Sequence, residues 1–227
     1  MRGRLICLIG IDGAGKTTLV NGTVERLKRQ GVRAAGVYGK TLPVLSRLLM
    51  AVGRAAFLRK QDIWQDYPNY ARHKKRVMNN RLLTRIYEVS VWLDYLPQAY
   101  FKIVLPLLFG VTIMCDRYLF DVVIGDLAVH SSYDARQIRR SLNAGFRVLP
   151  EPDLVFLIDL PEEVAIRRKD DVPHIEYLSE RRRLYLRLAE TYPIVKLDGE
   201  ETPEELMRQI VQRIGSPLPK AGEANGQ

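Results

Sequence analysis

The sequence predicts an open, doubly wound α/β fold, a five-stranded parallel sheet flanked by helices on both faces. Three observations carry this. Five short apolar runs recur along the chain: Leu5–Ile11, Val32–Tyr38, Val111–Cys115, Leu154–Ile158 and Ile194–Leu197. They are continuous rather than alternating, as strands covered on both faces require. Helical patterns separate them, so strand and helix alternate along the chain.

Taken in order, the first run feeds a glycine-rich stretch and then a helix pattern, Lys16 to Arg29. Leu19, Val20, Val24 and Leu27 fall along one side of it, and Gly31 stops it. The segment from Tyr70 to Phe109 must hold one or two long helices. Thr202-Pro203-Glu204-Glu205 is a helix start, with a capping hydroxyl, a proline in the first turn and an acid three residues on. The tail 216–227 is Pro, Gly and polar, and is expected to be disordered. No repeat or linker divides residues 1–215, which are read as a single domain.

Apolar residues make up 47 % of the 227, enough for a sizeable core and too many for bulk disorder. The formal charge of +9 suits anionic partners, whether phosphates, nucleic acid or an acidic membrane, without choosing among them. Cys7 and Cys115 both sit in apolar runs, which favours two buried thiols over a disulfide and fits a reducing, cytoplasmic setting. The first residues enter the first strand pattern directly, leaving no room for a signal peptide. Residues 91–114 are strongly apolar, but Asp94, Lys102, Pro97 and Pro106 interrupt them. They read as a buried helix and strand rather than a membrane span. His73, His130 and His174 have no zinc-type spacing, and no bound transition metal is expected.

The chemistry concentrates at Gly10-Ile11-Asp12-Gly13-Ala14-Gly15-Lys16-Thr17-Thr18. The first eight fit G-x-x-x-x-G-K-[ST], after a strand and at the opening of a helix. Glycines let successive amides turn inward around an anion, and the helix adds its positive end. Gly10, Gly13, Ala14, Gly15, Lys16, Thr17 and Thr18 are therefore the expected nucleotide-binding residues. Lys16 would reach the β- and γ-phosphates of ATP, and Thr17 would hold Mg²⁺. A glycine-rich turn with an incidental lysine is the plainer alternative. Gly39-Lys40-Thr41 repeats the G-K-T, but Ala34 stands where its first glycine should be, so it reads as a loop after the second strand.

The third run ends Cys115-Asp116-Arg117-Tyr118. An acid at that strand tip would lie beside the glycine-rich loop, where Asp116 can orient Mg²⁺ or its waters. Arg117 offers a bidentate fork to a phosphate. The pair is equally a plain salt bridge. Arg167, Arg168 and Lys169 follow one another near a helix end. They suit a mobile cationic lid over transferring phosphates, or a solvated helix face. No N-K-x-D base reader is present, which argues against a GTPase.

The loop, followed about a hundred residues later by C-D-R-Y, resembles the thymidylate kinase family. Pro152–Arg168, Arg182–Glu190 and Val195–Leu206 are similar to that family's fourth strand and lid, closing helix, and fifth strand with last helix. The resemblance implies a P-loop kinase fold, Mg-ATP as donor and a nucleoside monophosphate as acceptor. It implies that Asp12 faces the acceptor's sugar or the metal, that Arg117 grips the acceptor phosphate, and that Arg167 or Arg168 closes over the ATP phosphates in a lid at about 166–176.

The acceptor side departs from the family pattern. Asp121 stands where a serine is usual, and Ile124, Gly125 and Asp126 replace A-Y-Q. Leu93-Asp94-Tyr95 replaces A-D-R. Thr41-Leu42-Pro43 replaces R-E-P, with Lys40 the nearest cation. The acceptor is accordingly expected between Asp12, Lys40, Asp94, Tyr95, Asp116 and Arg117. Asp94 and Tyr95 are also explicable as a capped acid and a buried aromatic. A helical insert spans about 43–90. Its basic run near 70–85 is open to three readings: a wet helix face, a nucleic-acid or lipid contact, or an attractor for a highly charged acceptor such as a phosphosugar or lipid phosphate. The apolar helix near 96–109 exceeds what one small domain buries and is expected to pair with a second copy as a homodimer. The competing reading from another class is a nucleotide-switched protein that binds nucleic acid or membrane.

Overall fold

The computed structural model describes residues 3–40, 44–57, 67–77, 80–128, 134–169, 172 and 174–215. The expectations placed on Thr41-Leu42-Pro43, His130, positions 170, 171 and 173 of the lid and the tail 216–227 lie outside the described residues, as does the side chain of Asp126.

The strands are β1 (Leu5–Ile9), β2 (Ala34–Tyr38), β3 (Thr112–Asp116), β4 (Leu154–Asp159) and β5 (Val195–Asp198). They form one sheet in the order β2-β3-β1-β4-β5, every neighbouring pair parallel. All residues of β1 and β3 are buried, so both faces of the sheet's centre are covered. The outer strands β2 and β5 alternate between buried and exposed, as edges do. Register sets Leu8 beside Asp116 and Cys7 beside Cys115; both thiols are free and buried.

Strand limits differ from the apolar runs by one or two residues. The first run is cut short at Ile9, because Gly10 opens a loop in which the backbone turns away from the sheet. The third, fourth and fifth strands instead gain an aspartate each: Asp116, Asp159 and Asp198. Ladder bonds hold these acids in strand geometry while their side chains stand at the sheet's carboxyl edge.

Helix α1 (Lys16–Arg29) buries Leu19, Val20, Thr23, Val24 and Leu27, and packs on β1, β2 and β3. Between β2 and β3 lie α2 (Leu45–Phe57), α3 (Tyr67–Val77) and α4 (Arg81–Ala99), with a π-helical turn, Tyr100–Val104, leading into α5 (Leu105–Leu108). Of the one or two long helices expected over Tyr70 to Phe109 there are two, α3 and α4, and the Asn80 side chain caps the second by accepting from Leu82 and Leu83 N–H. Pro97 sits inside α4 and lacks the amide that would continue the ladder; the wide turn begins three residues later. No helix among the described residues is long and apolar enough to cross a membrane.

After β3 come a short turn α6 (Leu119–Asp121), a π-helical segment Val122–Ala128 and α7 (Ala135–Phe146). After β4 come α8 (Glu162–Ala165), a 3₁₀ turn Ile166–Arg168 and α9 (Ile175–Ala189). Helix α10 (Pro203–Gly215) follows β5, packs on α1, and is capped by the Thr202 hydroxyl accepting from Glu205 N–H at 3.3 Å. Helix α2 falls within the helical insert expected at about 43–90, whereas α7 follows no pattern singled out in the sequence. Helix α7 is set by a capping box between Asp134 and Gln137.

The start of α2 is held from outside the helix. Asp94, on α4, accepts from the amides of Val44, Leu45 and Ser46 at 3.1, 3.0 and 2.8 Å, and from the Ser46 hydroxyl at 2.7 Å. Burial pushes this carboxyl up, but the amides of Ser46 and Leu45 and the Ser46 hydroxyl bring it below its usual range. Asp94 therefore spends its oxygens on joining α2 to α4. Replacing it with Ala leaves three amides of α2 without this acceptor, and is expected to lower stability by about 2 kcal/mol in urea denaturation. A depressed carboxylate stabilises fully above its unfolded value of about 4 and loses that contribution as pH falls below it. The wild-type advantage over Asp94→Ala should accordingly shrink between about pH 4 and pH 2.

Candidate active site

Strand β1 is the point where the chain's winding reverses, with β3 on one side and β4 on the other. Ligands of such sheets bind in the crevice outside the strand tips at this point. Gly10 to Gly15 form the loop there. Gly13 has φ 87°, and a Cβ on it would come within 2.6 Å of the Ala165 carbonyl, so the loop lies directly against the end of α8. Helix α1 begins with no side-chain cap and no acid in its first turn, which leaves its first amides available to an anion.

Lys16 is 5 % exposed, and its ammonium donates to the carbonyls of Gly10 and Ile11 at 2.9 and 2.6 Å. Burial, reinforced by the charge of Arg117, lowers it to about 8, against partial opposition from Asp121, Asp116 and Asp12. The Thr17 hydroxyl donates to Asp116 Oδ2, while Asp116 Oδ1 is buried without a hydrogen-bond partner. A hydroxyl and a carboxylate with a spare buried oxygen, beside a phosphate loop, are the hard ligands that Mg²⁺ takes from protein when phosphates supply the rest. Among the described residues no cluster of three or more His, Cys, Asp or Glu could hold a metal alone.

Arg117 is the hub of the charge cluster. Its backbone has φ 68°, a strained value for a side chain of this size. The Leu8 carbonyl accepts its amide at 3.1 Å and its own carbonyl accepts the Cys115 thiol at 2.7 Å. Gly39 makes that bend possible, since a Cβ there would meet the Arg117 carbonyl at 2.1 Å. The guanidinium donates through Nη2 to Asp12 and through Nη1 to Asp121 at 2.7 Å. Burial works against this charge, yet Asp121 and Asp12 hold it above its ordinary value. Burial likewise raises Asp12, but Arg117, Lys16, Lys169 and Lys40 bring its carboxyl below the usual range. Asp121, only 4 % exposed, ends above its usual range because burial outweighs Arg117, Lys16 and the Tyr185 hydroxyl.

The sequence pointed to several of these residues, and the structure gathers most of them. Asp12, Lys16, Thr17, Asp116 and Arg117 meet at one place. Lys40 is exposed nearby and, like Lys169, contributes to the field at Asp12. Asp94 and Tyr95 do not join them. Asp94 caps α2, and Tyr95, 1 % exposed, is in the core with its ring edge-on to Trp92. Of the lid arginines, Arg168 donates to the Gly199 carbonyl at 3.3 Å and Arg167 is exposed.

Asp121, noted in the sequence only as a departure, becomes Arg117's inner anchor. Tyr185 on α9 was missed; its hydroxyl donates to the same Asp121 oxygen at 2.8 Å. Arg181 and Arg182, also on α9, were missed as well. Arg182 donates to Asp159 and Glu162 at 2.8 Å each, tying α9 to β4 and α8. The signal was available: Leu178, Arg181, Tyr185 and Leu188 lie at helical spacing, two polar side chains on a buried stripe.

A parallel sheet with a phosphate-cradling loop at its switch point, an Asp–Arg pair on the neighbouring strand and a cationic turn after β4 define a P-loop phosphotransferase of the nucleoside monophosphate kinase type. No family model matches the chain. It is 29 % identical over 227 residues to a probable thymidylate kinase 1 of Saccharolobus solfataricus, covering 93 % of this chain and 96 % of that one. It is 28 % identical over 221 residues to a probable thymidylate kinase of Sulfurisphaera tokodaii, covering 94 % and 96 %. A thymidylate kinase of Exiguobacterium is 25 % identical over 233 residues, covering 98 % and 99 %. This likeness runs through nearly the whole length of each chain.

Lys16 gives a test of the donor site that needs no acceptor. In the free protein it loses its proton near pH 8, and a polyphosphate beside it favours the charged form. Binding of ADP at about pH 9 should therefore take up a fraction of a proton, approaching about one. Calorimetry in two buffers of different ionisation enthalpy measures this. Lys16→Met should bind without that uptake.

Proposed function

We propose that this chain transfers the γ-phosphoryl group of Mg-ATP to a nucleoside monophosphate, with dTMP the first acceptor to consider. The observation that carries this is the convergence of Lys16, Thr17, Asp116, Asp12 and Arg117 on one strand-tip crevice, in a chain whose relatives are named thymidylate kinases. Those names weigh against the phosphosugar, lipid-phosphate and nucleotide-switch readings.

In this reading the amides of Gly13 to Thr18 and the Lys16 ammonium hold the donor's phosphates. Thr17 and Asp116 would hold Mg²⁺, which neutralises charge between the donor's terminal phosphates. Arg117 exchanges its bond to Asp12 for one to the acceptor phosphate while Asp121 keeps the other edge of the guanidinium. Asp12, released, would be free to face the acceptor's sugar or the metal. An acceptor phosphate is already anionic at neutral pH, so its attack requires no general base. Arg167, Arg168 and Lys169 supply cations on the lid side, where charge spreads over the transferring oxygens and water must be kept out. The two buried thiols support a cytoplasmic setting.

We also infer a homodimer. Leu82, Ile86, Val89 and Leu93 are exposed at i, i+4, i+7 and i+11 on α4, and the stripe continues through Phe101 and Leu108. An apolar face of that length is a protein-contact surface rather than a solvated one. It begins nearly four turns before the 96–109 segment singled out in the sequence.

An ADP-release assay over nucleoside monophosphates, nucleosides and phosphosugars should give turnover with dTMP or a related monophosphate, and Lys16→Ala should abolish it in a folded protein. Turnover confined to nucleosides or phosphosugars would overturn the acceptor reading. In sedimentation, the protein should run at twice its 26.1 kDa chain mass, and Leu93→Glu with Phe101→Glu should bring it to one. A wild-type monomer at every concentration would remove the dimer.

A further inference from the structure

Tyr185 lies on the buried stripe of α9, and its hydroxyl donates to Asp121 Oδ1 at 2.8 Å. The same oxygen accepts Arg117 Nη1 at 2.7 Å, so one carboxylate oxygen holds a phenol and a guanidinium together. The other oxygen, Oδ2, is buried without a hydrogen-bond partner among the described residues. A buried carboxylate met on one oxygen only is costly, and where an acid does no more than fill a core an apolar residue of similar size serves at least as well. The link from Tyr185 through Asp121 to Arg117 is therefore maintained against its own cost.

The backbone of Arg117 is fixed by the Leu8 carbonyl and the Cys115 thiol, which leaves the direction of its guanidinium to side-chain partners. Asp12 takes Nη2 and Asp121 takes Nη1. In the reaction proposed above, the Asp12 bond is given up to the acceptor phosphate. Asp121 is then the one carboxylate among the described residues still bonded to the guanidinium, and it must itself be held. It ends the short turn α6, where the chain passes into the π-helical segment and no regular helix stiffens it. Tyr185 supplies the hold from another element. Burial and the charge of Asp121 both push its phenol well above the usual range, so it keeps its proton and remains a donor.

We propose that Tyr185 is a positioning residue for the acceptor phosphate. Its hydroxyl fixes Asp121, and Asp121 fixes the inner edge of the Arg117 guanidinium, so that the outer edge meets the phosphate when Asp12 releases it. In this assignment Tyr185 touches neither substrate. A tyrosine that only filled the core would keep its contribution as phenylalanine, and any loss would be the same whatever stood at position 117. A tyrosine that acts through Asp121 loses its effect once the side chain at 117 cannot bridge Asp121 to a phosphate. Tyr192 supplies the comparison. Its hydroxyl also donates to a carboxylate, that of Glu151, and its ring stacks with Phe146 and meets Phe120 edge-on, but no bond among the described residues links that carboxylate to Arg117.

This rests on the nucleoside monophosphate reading, and the test separates the two. kcat, dTMP KM and ATP KM are measured on the full chain in the ADP-release assay, with dTMP affinity read by calorimetry. Tyr185→Phe should lower kcat/KM for dTMP and dTMP affinity about tenfold each, with ATP KM unchanged. Tyr192→Phe should leave all of these where they were. Made in an Arg117→Lys chain, whose point charge cannot bridge two anions as the fork does, Tyr185→Phe should cost less than about twofold in dTMP affinity. Equal losses in the two backgrounds, unchanged dTMP kinetics, or a rise in ATP KM instead would overturn the assignment. Should Tyr185→Phe fail to fold, Asp121→Ala cuts the same link at its other end and should lower kcat/KM for dTMP at least about tenfold; no loss would overturn the assignment equally. An unaltered chain that turns over dTMP while Tyr185→Phe is without effect sinks this inference alone. An unaltered chain that turns over no nucleoside monophosphate sinks the acceptor class, and this inference with it.

Discussion

Five charges meet at the tips of β1 and β3, and keeping them mutually neutralised underground is the constraint on which the site depends. Asp12, Asp116 and Asp121 face Lys16 and Arg117, all at least four-fifths buried by side chain or residue. None could be removed from water alone at tolerable cost. Together they form a chain of shared bonds, Thr17 to Asp116 and Asp12 to Arg117 to Asp121 to Tyr185. Strand register places them there: Leu8 lies beside Asp116, and the Leu8 carbonyl accepts the Arg117 amide. The sheet therefore builds the electrostatics, and the glycine loop only has to arch over it.

Neutralisation in the free state is also what makes the site responsive. Arg117 held by a single fixed carboxylate would meet the acceptor phosphate as a free cation. Held by two, it must exchange one of them. Asp121 is inside the core and Asp12 is on the loop, so Asp12 is the partner open to exchange. In the proposed reading, an acceptor phosphate at Arg117 would release Asp12, which lies within the glycine-rich loop, and so would couple the two substrates through one side chain.

The fold was legible in the sequence because its strongest signals are local. Continuous apolar runs mark strands buried on both faces, and the spacing of Leu19, Val20, Val24 and Leu27 marks α1. Gly10 to Thr17 was legible for the same reason, since a phosphate cradle is made by consecutive residues. The acceptor side was not, because it is assembled across long separations. Asp121 and Tyr185 are 64 residues apart in the chain, and Arg117 and Asp12 are 105 apart. Asp94 shows the reverse. Its sequence neighbours suggested a substrate residue, but its partners, Val44 to Ser46, come from about 50 residues earlier and use it as a helix cap. Tyr95 beside it faces the core by ordinary helix geometry, about 100° around the axis from its neighbour.

Helix α9 unites these separate pieces. Tyr185 reaches Asp121, Arg182 reaches Asp159 and Glu162, and Arg181 reaches Gly125, so little more than one turn of α9 touches α6, the end of β4 with α8, and the π-helical segment after α6. The same α8 rests its last carbonyl against Gly13 in the phosphate loop. Anything that shifts the turn carrying Arg167 and Arg168 must therefore pull on α8, and α8 is fastened to α9 by an ion pair of 2.8 Å. The turn carrying Arg167 and Arg168 and the carboxylate that steadies Arg117 are thereby fastened to the same helix. Partly buried ion pairs at both ends of Arg182 resist separation more strongly than surface pairs would. The cationic turn is thus free to move only as far as α9 allows, and α9 is in turn anchored through Tyr185 to the carboxylate that steadies Arg117.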